Sequence, residues 1–341
     1  MTESDLWTSK HSPRSIDEVS SVHPDAESLL RNVAEGRLNA LIHGSEGIGK
    51  TAAAKAIASE EHGEAYENSL FVLNASDFFG MTKKEIADDP RFEGFITSKR
   101  RRNSSKADLM NHVLKEVASH TTVGTGFKTL VIDNAESMRR DFQESLRRVM
   151  ERHSETCQFI LTTRSSSGVI PPIRSRCFSV SLGAPTRERI RDRLKQIADE
   201  EGVEYDAMGL EFVAEEADGD LREAILTLQT VASEKDVVTM SDANEVIDSV
   251  VAGDIEEVLS LSREGNFDDA VDVIDDLLID EGFSGVEILE GLVDEVRRSE
   301  IDDTEAARIV RLIGEVEDEM SEAGGNNERI HLERLVSAIA S

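Results

Sequence analysis

Four short apolar runs organise the first half of the chain. Leu41-Ile42 leads into a glycine-rich turn, and Leu70-Phe71-Val72-Leu73 ends at Asn74. Leu130-Val131-Ile132 ends at Asp133, and Phe159-Ile160-Leu161 ends at Thr162-Thr163. Runs this short without polar alternation predict strands buried on both faces. The segments around them carry the helical period instead: 23–35 with Ala26, Leu29, Leu30 and Val33 on one face, 51–59, and 141–152. Strands alternating with helices predict an α/β domain over 1–183 with a mostly parallel sheet covered on both sides.

From Ala184 the pattern becomes wholly helical. Thr186 caps a helix with Ile190, Leu194 and Ile197 on one face, a second helix spans 206–217, and Gly219-Asp220-Leu221-Arg222 opens a third that reaches 233. Beyond about 250 three further apolar stripes recur, on Ala270, Ile274, Leu277 and Leu278, on Val286, Leu289, Leu292, Val293 and Val296, and on Ala306, Ile309, Val310, Ile313 and Val316. Gly324-Gly325-Asn326-Asn327 is expected to end that last helix, and Ile330, Leu332, Leu335, Val336 and Ile339 mark a final one. The domains read as 1–183, 184–249 and 250–341, the first with an insert at about 79–107 where periodicity fails. That insert holds Ser98-Lys99-Arg100-Arg101-Arg102-Asn103, which reads either as a solvated loop or as a contact for phosphate backbones.

The chemistry concentrates in Gly44-Ser45-Glu46-Gly47-Ile48-Gly49-Lys50-Thr51, a P-loop between a strand and a helix. Its glycines let backbone N–H groups turn toward an anion at the positive end of the helix. Lys50 can reach the β- and γ-phosphates of ATP, and Thr51 can hold Mg²⁺. Asp133, at the end of an apolar strand, is placed for the same Mg²⁺ shell. Trp7, in the lead-in Leu6-Trp7-Thr8-Ser9-Lys10-His11-Ser12-Pro13, must pack on something. A nucleotide base and a purely stabilising surface are equally open.

Composition changes this picture in two ways. The chain of 341 residues is long enough for two or three domains, and it has no 18-residue apolar run and no signal-peptide core, so a soluble cytoplasmic protein is expected. Cys157 and Cys177 read as flanking one strand and its exit, which supports neither a disulfide framework nor a zinc site. The net charge is −31, with 69 acidic residues against 38 basic ones, only 11 of them lysine. The acid is spread over the whole chain, as in proteins of organisms that keep molar salt in the cell. At such salt the Debye length is roughly 3 Å, so net charge says little about partners.

In this order the motifs resemble the small subunit of replication factor C, the archaeal and eukaryotic sliding-clamp loader of the AAA+ class. The acidity points to a haloarchaeal paralogue. Trp7-x-x-Lys10-x-x-Pro13 resembles the family's N-terminal adenine-side motif, with His11 and Ser12 where Tyr and Arg are usual. Asn74-Ala75-Ser76-Asp77 matches its turn after the second strand, but Phe78-Phe79 replaces Glu-Arg. Leu146-Arg147-Arg148-Val149-Met150-Glu151 resembles its central helix, and Pro172-Ile173-Arg174-Ser175-Arg176-Cys177 carries its Ser-Arg-Cys box.

The resemblance implies a P-loop AAA+ domain, a helical lid and an all-α collar that joins five subunits. Arg176 would be an arginine finger reaching a neighbour's nucleotide, and Arg222 a lid residue contacting the nucleotide of its own subunit. Partners would be replication factor C large and small subunits in a hetero-pentamer, the sliding clamp and primer-template DNA, without a membrane. Two departures stand out. Asn134 occupies the second Walker B position, where the family has a carboxylate, and Arg164 occupies the place of its sensor Asn. ATP and Mg²⁺ binding with slow hydrolysis is therefore expected. A clamp-loader subunit is the leading reading, a hydrolysis-deficient nucleotide-sensing scaffold of the same ring the second. A stand-alone AAA+ remodelling ATPase is the third, disfavoured by the Ser-Arg-Cys box and the collar.

Overall fold

A computed structural model describes residues 6–92, 95–96, 104–119, 127–280, 283–299, 301–322 and 328–340. The basic run Lys99–Arg102 and the expected stop at Gly324-Gly325-Asn326-Asn327 lie outside them. The chain forms two compact units, Met1–Met240 and Ser241–Ser341.

The first unit is built on five parallel strands: β1 (Ala40–His43), β2 (Leu70–Asn74), β3 (Lys128–Asp133), β4 (Cys157–Thr163) and β5 (Phe178–Ser181), in the order β2-β3-β4-β1-β5. Because side chains alternate along a strand, each apolar run feeds two cores. Leu41, Leu130, Ile132, Phe159 and Leu161 enter one, and Ile42, Val131 and Ile160 enter the other. β4 is buried at every residue, as a central strand with no solvent face should be. Each side chain of this size fully withdrawn from water contributes about 1.5–3 kcal/mol.

Several expectations need correction. β5 carries too short and too mixed a pattern to be read as a strand, with only Val180 buried. The cysteines flank β4 and its exit as read: Cys157 opens β4 and Cys177 lies just before β5, both free, and burial pushes each thiol up to about 12. β2 is an edge strand with only Leu73 buried. The polar residues after it begin a helix, Ala75–Gly80, because Asn74 accepts the Ser76 N–H at 2.9 Å as an N-cap. Part of the expected insert also forms regular structure. Thr82 and Glu85 form a capping box on the helix Lys83–Asp88, while Ile86 and Phe92 are fully buried. Phe78 points inward, its ring 5.4 Å from Phe92 and 6.4 Å from Phe142.

The helices Arg187–Glu201, Ala207–Glu216 and Leu221–Glu234 complete this unit. Their region is not wholly helical: β6 (Glu204–Tyr205) pairs in parallel with β7 (Val237–Val238). Trp7 belongs to this layer. Its backbone N–H donates to Gln229 Oε1 at 2.9 Å, Lys10 Nζ donates to Glu201 at 2.7 Å, and Arg193 donates to the His11 carbonyl at 2.5 Å. The lead-in is thus strapped across two of these helices. Thr186 holds the cap position of the first helix without a side-chain hydrogen bond to its backbone.

The second unit packs the helices Phe267–Asp275, Gly285–Arg298, Asp303–Glu322 and Glu328–Ile339 with most of Met240–Glu264 around one core. The 249/250 break read from the pattern falls inside Met240–Glu264. Most stripe residues are buried as expected, but Val286, Val310 and Ile330 face outward. Arg308 donates to the Ala338 and Ile339 carbonyls at 3.1 and 2.7 Å, satisfying acceptors that the last turn leaves open.

Candidate nucleotide-binding site

The carboxyl ends of β1, β3 and β4 lie side by side, and the polar residues that follow each strand meet there. β1 runs into the loop, whose first residue is fastened to its neighbour strand: the Gly44 N–H donates to the Thr163 carbonyl at 3.3 Å. Gly47 (φ 62°) and Gly49 (φ 95°) adopt backbone conformations that side chains disfavour. A Cβ on Gly47 would lie within 1.9 Å of the Asp220 carboxylate, whereas one on Gly49 would meet nothing within 4 Å. The loop is therefore closed on the side of the helix Leu221–Glu234 and open at Gly49, the N-cap of the helix Lys50–His62.

Lys50 is 8% exposed, and its Nζ donates to the Ser45 carbonyl at 2.5 Å. Among the described residues it makes no ion pair with a carboxylate. Burial holds its ammonium below the usual lysine range, against the opposing pull of Glu46, Asp133 and Glu136. A buried ammonium with donors to spare, at a helix N-terminus, fits an anion such as a phosphate. Beside it the Thr51 hydroxyl donates to Asp133 Oδ1 at 2.8 Å, and the Thr162 hydroxyl donates to the same oxygen. The two residues expected at Mg²⁺ are thus brought together. One hydroxyl and one carboxylate suit a cation that keeps several waters and takes phosphate oxygens.

Asn134 follows Asp133 in a left-handed conformation (φ 53°). Its N–H donates to Thr162 Oγ1 at 3.3 Å, and its side-chain amide lies 3.5 Å from Asn74 Oδ1. Arg164 follows β4, and its N–H donates to Glu136 Oε1 at 3.0 Å. Its guanidinium lies 3.1 Å from Glu46 and 3.5 Å from Glu136. Burial works to raise the Glu136 carboxyl, but the Arg164 N–H, the Thr163 hydroxyl and the Arg164 charge together hold it below the usual range.

Arg222 meets the loop through its backbone, its N–H donating to the Gly47 carbonyl at 3.2 Å. Arg176 is not part of this cluster. It donates to the Pro172 carbonyl at 2.6 Å and to Glu151 at 2.5 Å. Sequence reasoning missed His23, whose buried Nε2 donates to the Ile48 carbonyl at 2.7 Å, and burial lowers its pKa so that the neutral ring braces the loop. Sequence reasoning assigns no role to Thr162, Asp220 or Glu136, although Asp220 lies in Gly219-Asp220-Leu221-Arg222 and Glu136 closes Asp133-Asn134-Ala135-Glu136.

Comparison with known proteins places the chain in a family. Residues 24–186 match DNA polymerase III, delta subunit, and residues 192–233 match the RCF1/5-like, AAA+ ATPase lid domain. Residues 252–338 match the replication factor C C-terminal domain. The replication factor C small subunit of Methanocella arvoryzae is 30% identical over 339 residues, which cover 99% of this chain and 97% of that protein. The chain belongs to the replication factor C small-subunit family. The family's member from Archaeoglobus fulgidus is 29% identical over 343 residues, covering 100% of this chain and 99% of its own. Among solved structures, the Aeropyrum pernix ORC1 protein in complex with DNA superposes with a TM-score of 0.55 at 19% identity, over 95% of this chain and 96% of that one. The Thermotoga maritima RuvB Holliday junction branch migration motor gives 0.51 at 17% identity, over 73% and 78%. Both likenesses are of fold, the AAA+ fold. The chain is a clamp-loader subunit, and its AAA+ fold implies nucleotide binding.

Proposed function

We propose that this subunit binds ATP with Mg²⁺, turns it over slowly, and serves a hetero-pentameric ring of replication factor C large and small subunits. In this reading the ring places a sliding clamp on primer-template DNA in the cytoplasm. Residues 184–249 act as its lid and 250–341 as its collar. The observation that carries the nucleotide part is Lys50, a buried cation with no carboxylate ion pair among the described residues. The loop Gly44–Thr51 and Arg222 would hold the phosphates, and Thr51 and Asp133 the metal. Bound Mg²⁺ supplies charge neutralisation across the phosphate oxygens.

Slow turnover follows from what surrounds Asp133. The amide of Asn134 cannot accept a proton from water, and Glu136 is a poor substitute base, because one of its oxygens accepts from the Arg164 N–H and its carboxyl is held below the usual range. The scaffold reading thus merges with the clamp-loader reading: this subunit holds nucleotide while chemistry proceeds elsewhere. Arg176 supports such a division of labour. Its pair with Glu151 is partly exposed, and pairs of that kind are worth about 1 kcal/mol or less, so a neighbour's phosphate can draw the guanidinium away. In a reconstituted ring, Arg176→Ala should lower hydrolysis at the neighbouring site by roughly 10³-fold while this subunit's own affinity for ATP stays the same. Undiminished hydrolysis would remove the trans role of Arg176.

A further inference from the structure

His23 is a buried titratable side chain that no motif uses, and three pieces of the chain meet at its ring. Pro24 stops the helix Ile16–Val22 at His23, whose N–H donates to the Val19 carbonyl at 2.9 Å and whose carbonyl accepts the Ala26 N–H at 3.1 Å. With its backbone held on both sides, the residue turns its ring inward and is 7% exposed. Nε2 lies 2.7 Å from the Ile48 carbonyl, and a carbonyl only accepts, so Nε2 carries the proton. The backbone of Gly183, just past β5, bears on the same ring. Ile48 and Gly183 both favour the charged form, but burial outweighs them and lowers the pKa, which leaves one N–H, and Ile48 takes it. Ile48 is itself 1% exposed, so water does not replace the ring as its donor.

This hydrogen bond acts beyond the oxygen that accepts it. A trans peptide is planar, with its C=O and N–H pointing in opposite directions, so a hold on the Ile48 carbonyl also sets the direction of the Gly49 N–H. Gly49 is the N-cap of the helix Lys50–His62, where backbone N–H groups face an anion, and the space beside it is open: an added Cβ would meet nothing within 4 Å. Glycines on both sides of Ile48 leave the peptide little steric guidance of its own. We propose that His23 is a positioning residue of the nucleotide site: its Nε2–H grips the Ile48 carbonyl and thereby aims the Gly49 N–H at the β-phosphate. This rests on the reading of the loop as an ATP site. ATP and ADP both carry a β-phosphate, so His23 serves both alike.

The test is calorimetric titration of the full chain with Mg·ATP and with Mg·ADP, in high KCl, for the wild type, His23→Leu and His23→Gln. His23→Leu has no donor and should weaken both nucleotides by about tenfold. His23→Gln, whose amide can donate to the same carbonyl, should recover most of that loss. A ring that merely fills space would behave otherwise, with both variants melting lower while the folded protein kept its affinities. Unchanged affinities, or a loss that His23→Gln does not relieve, would overturn the inference and leave the ATP site standing. A wild type that bound neither nucleotide would overturn the site as well. Nitrogen-15 NMR of the wild-type ring needs no substitution, so it decides the matter even where His23→Leu does not fold. It should show a neutral imidazole protonated at Nε2, and a ring protonated at Nδ1 alone would overturn the inference.

Discussion

Lys50 and Glu61 stand at opposite ends of one helix, Lys50–His62, and each is a buried charge set against the helix dipole. A cation at the N-terminus and an anion in the last turn each meet an end of like sign, at a cost of about 0.3–1 kcal/mol. Burial drives both toward neutrality: the Lys50 ammonium lies below its usual range, and the Glu61 carboxyl is pushed up to about 7 although Arg37 and the Thr129 hydroxyl pull it back. Their partners differ. Arg37 Nε lies 3.1 Å from Glu61, and the same guanidinium sits 4.7 Å over the Phe127 ring. Lys50 has only a carbonyl. Glu61 faces a cation of its own chain although neither of its carboxylate oxygens accepts a hydrogen bond, whereas Lys50 is the cation proposed to meet a phosphate. One helix carries both, at different ends.

Exchanging each charge for a neutral group should separate the two roles. Lys50→Ala should weaken ATP binding by about 10²-fold or more, since a charge-assisted contact to phosphate is lost. Its melting temperature should hold or rise slightly, because an unfavourable buried ammonium is gone. Unchanged affinity by calorimetry would remove Lys50 from the site.

Glu61→Gln should do the reverse, with a smaller effect confined to stability. The folded carboxyl titrates at about 7 against an ordinary 4.5, so the fold disfavours the charged form. Stability from this group is fully present below 4.5 and is lost as pH rises through 7. The variant should therefore exceed wild type by on the order of 2 kcal/mol at pH 8, with the difference closing as pH approaches 4.5. ATP affinity should not move. A stability difference that ignored pH would contradict this account of Glu61.

The two ends of the helix were not equally legible in the sequence. The loop could be read because its glycines, Lys50 and Thr51 sit within eight residues and each spacing has a local physical reason. Asp133 could be read because an acid ends an apolar run. Glu61 gave no sign, since nothing in its neighbourhood says that Arg37, 24 positions earlier, will cover it. The Glu46–Arg164 pair joins residues 118 apart and exists only because β4 lies beside β1. The missed strands fail for another reason. A two-residue ladder such as β6 and β7 has no period to detect, and the four residues of β5 bury only Val180. The six-residue helix Lys83–Asp88 buries only Ile86, too little for a stripe. Outward-facing Val286, Val310 and Ile330 show the converse, apolar residues on the helical period that the core does not take.

The central claim is that this site keeps its grip on nucleotide and has lost the group that activates water. Measuring bound ATP and its hydrolysis in one sample of the isolated chain, beside Asn134→Ala and Asn134→Glu, tests it most directly. The account predicts near-stoichiometric binding with very slow turnover that Asn134→Ala leaves unchanged. Restoring the carboxylate in Asn134→Glu should raise turnover by on the order of 10²-fold. Brisk hydrolysis by the wild type that Asn134→Ala abolishes would contradict it.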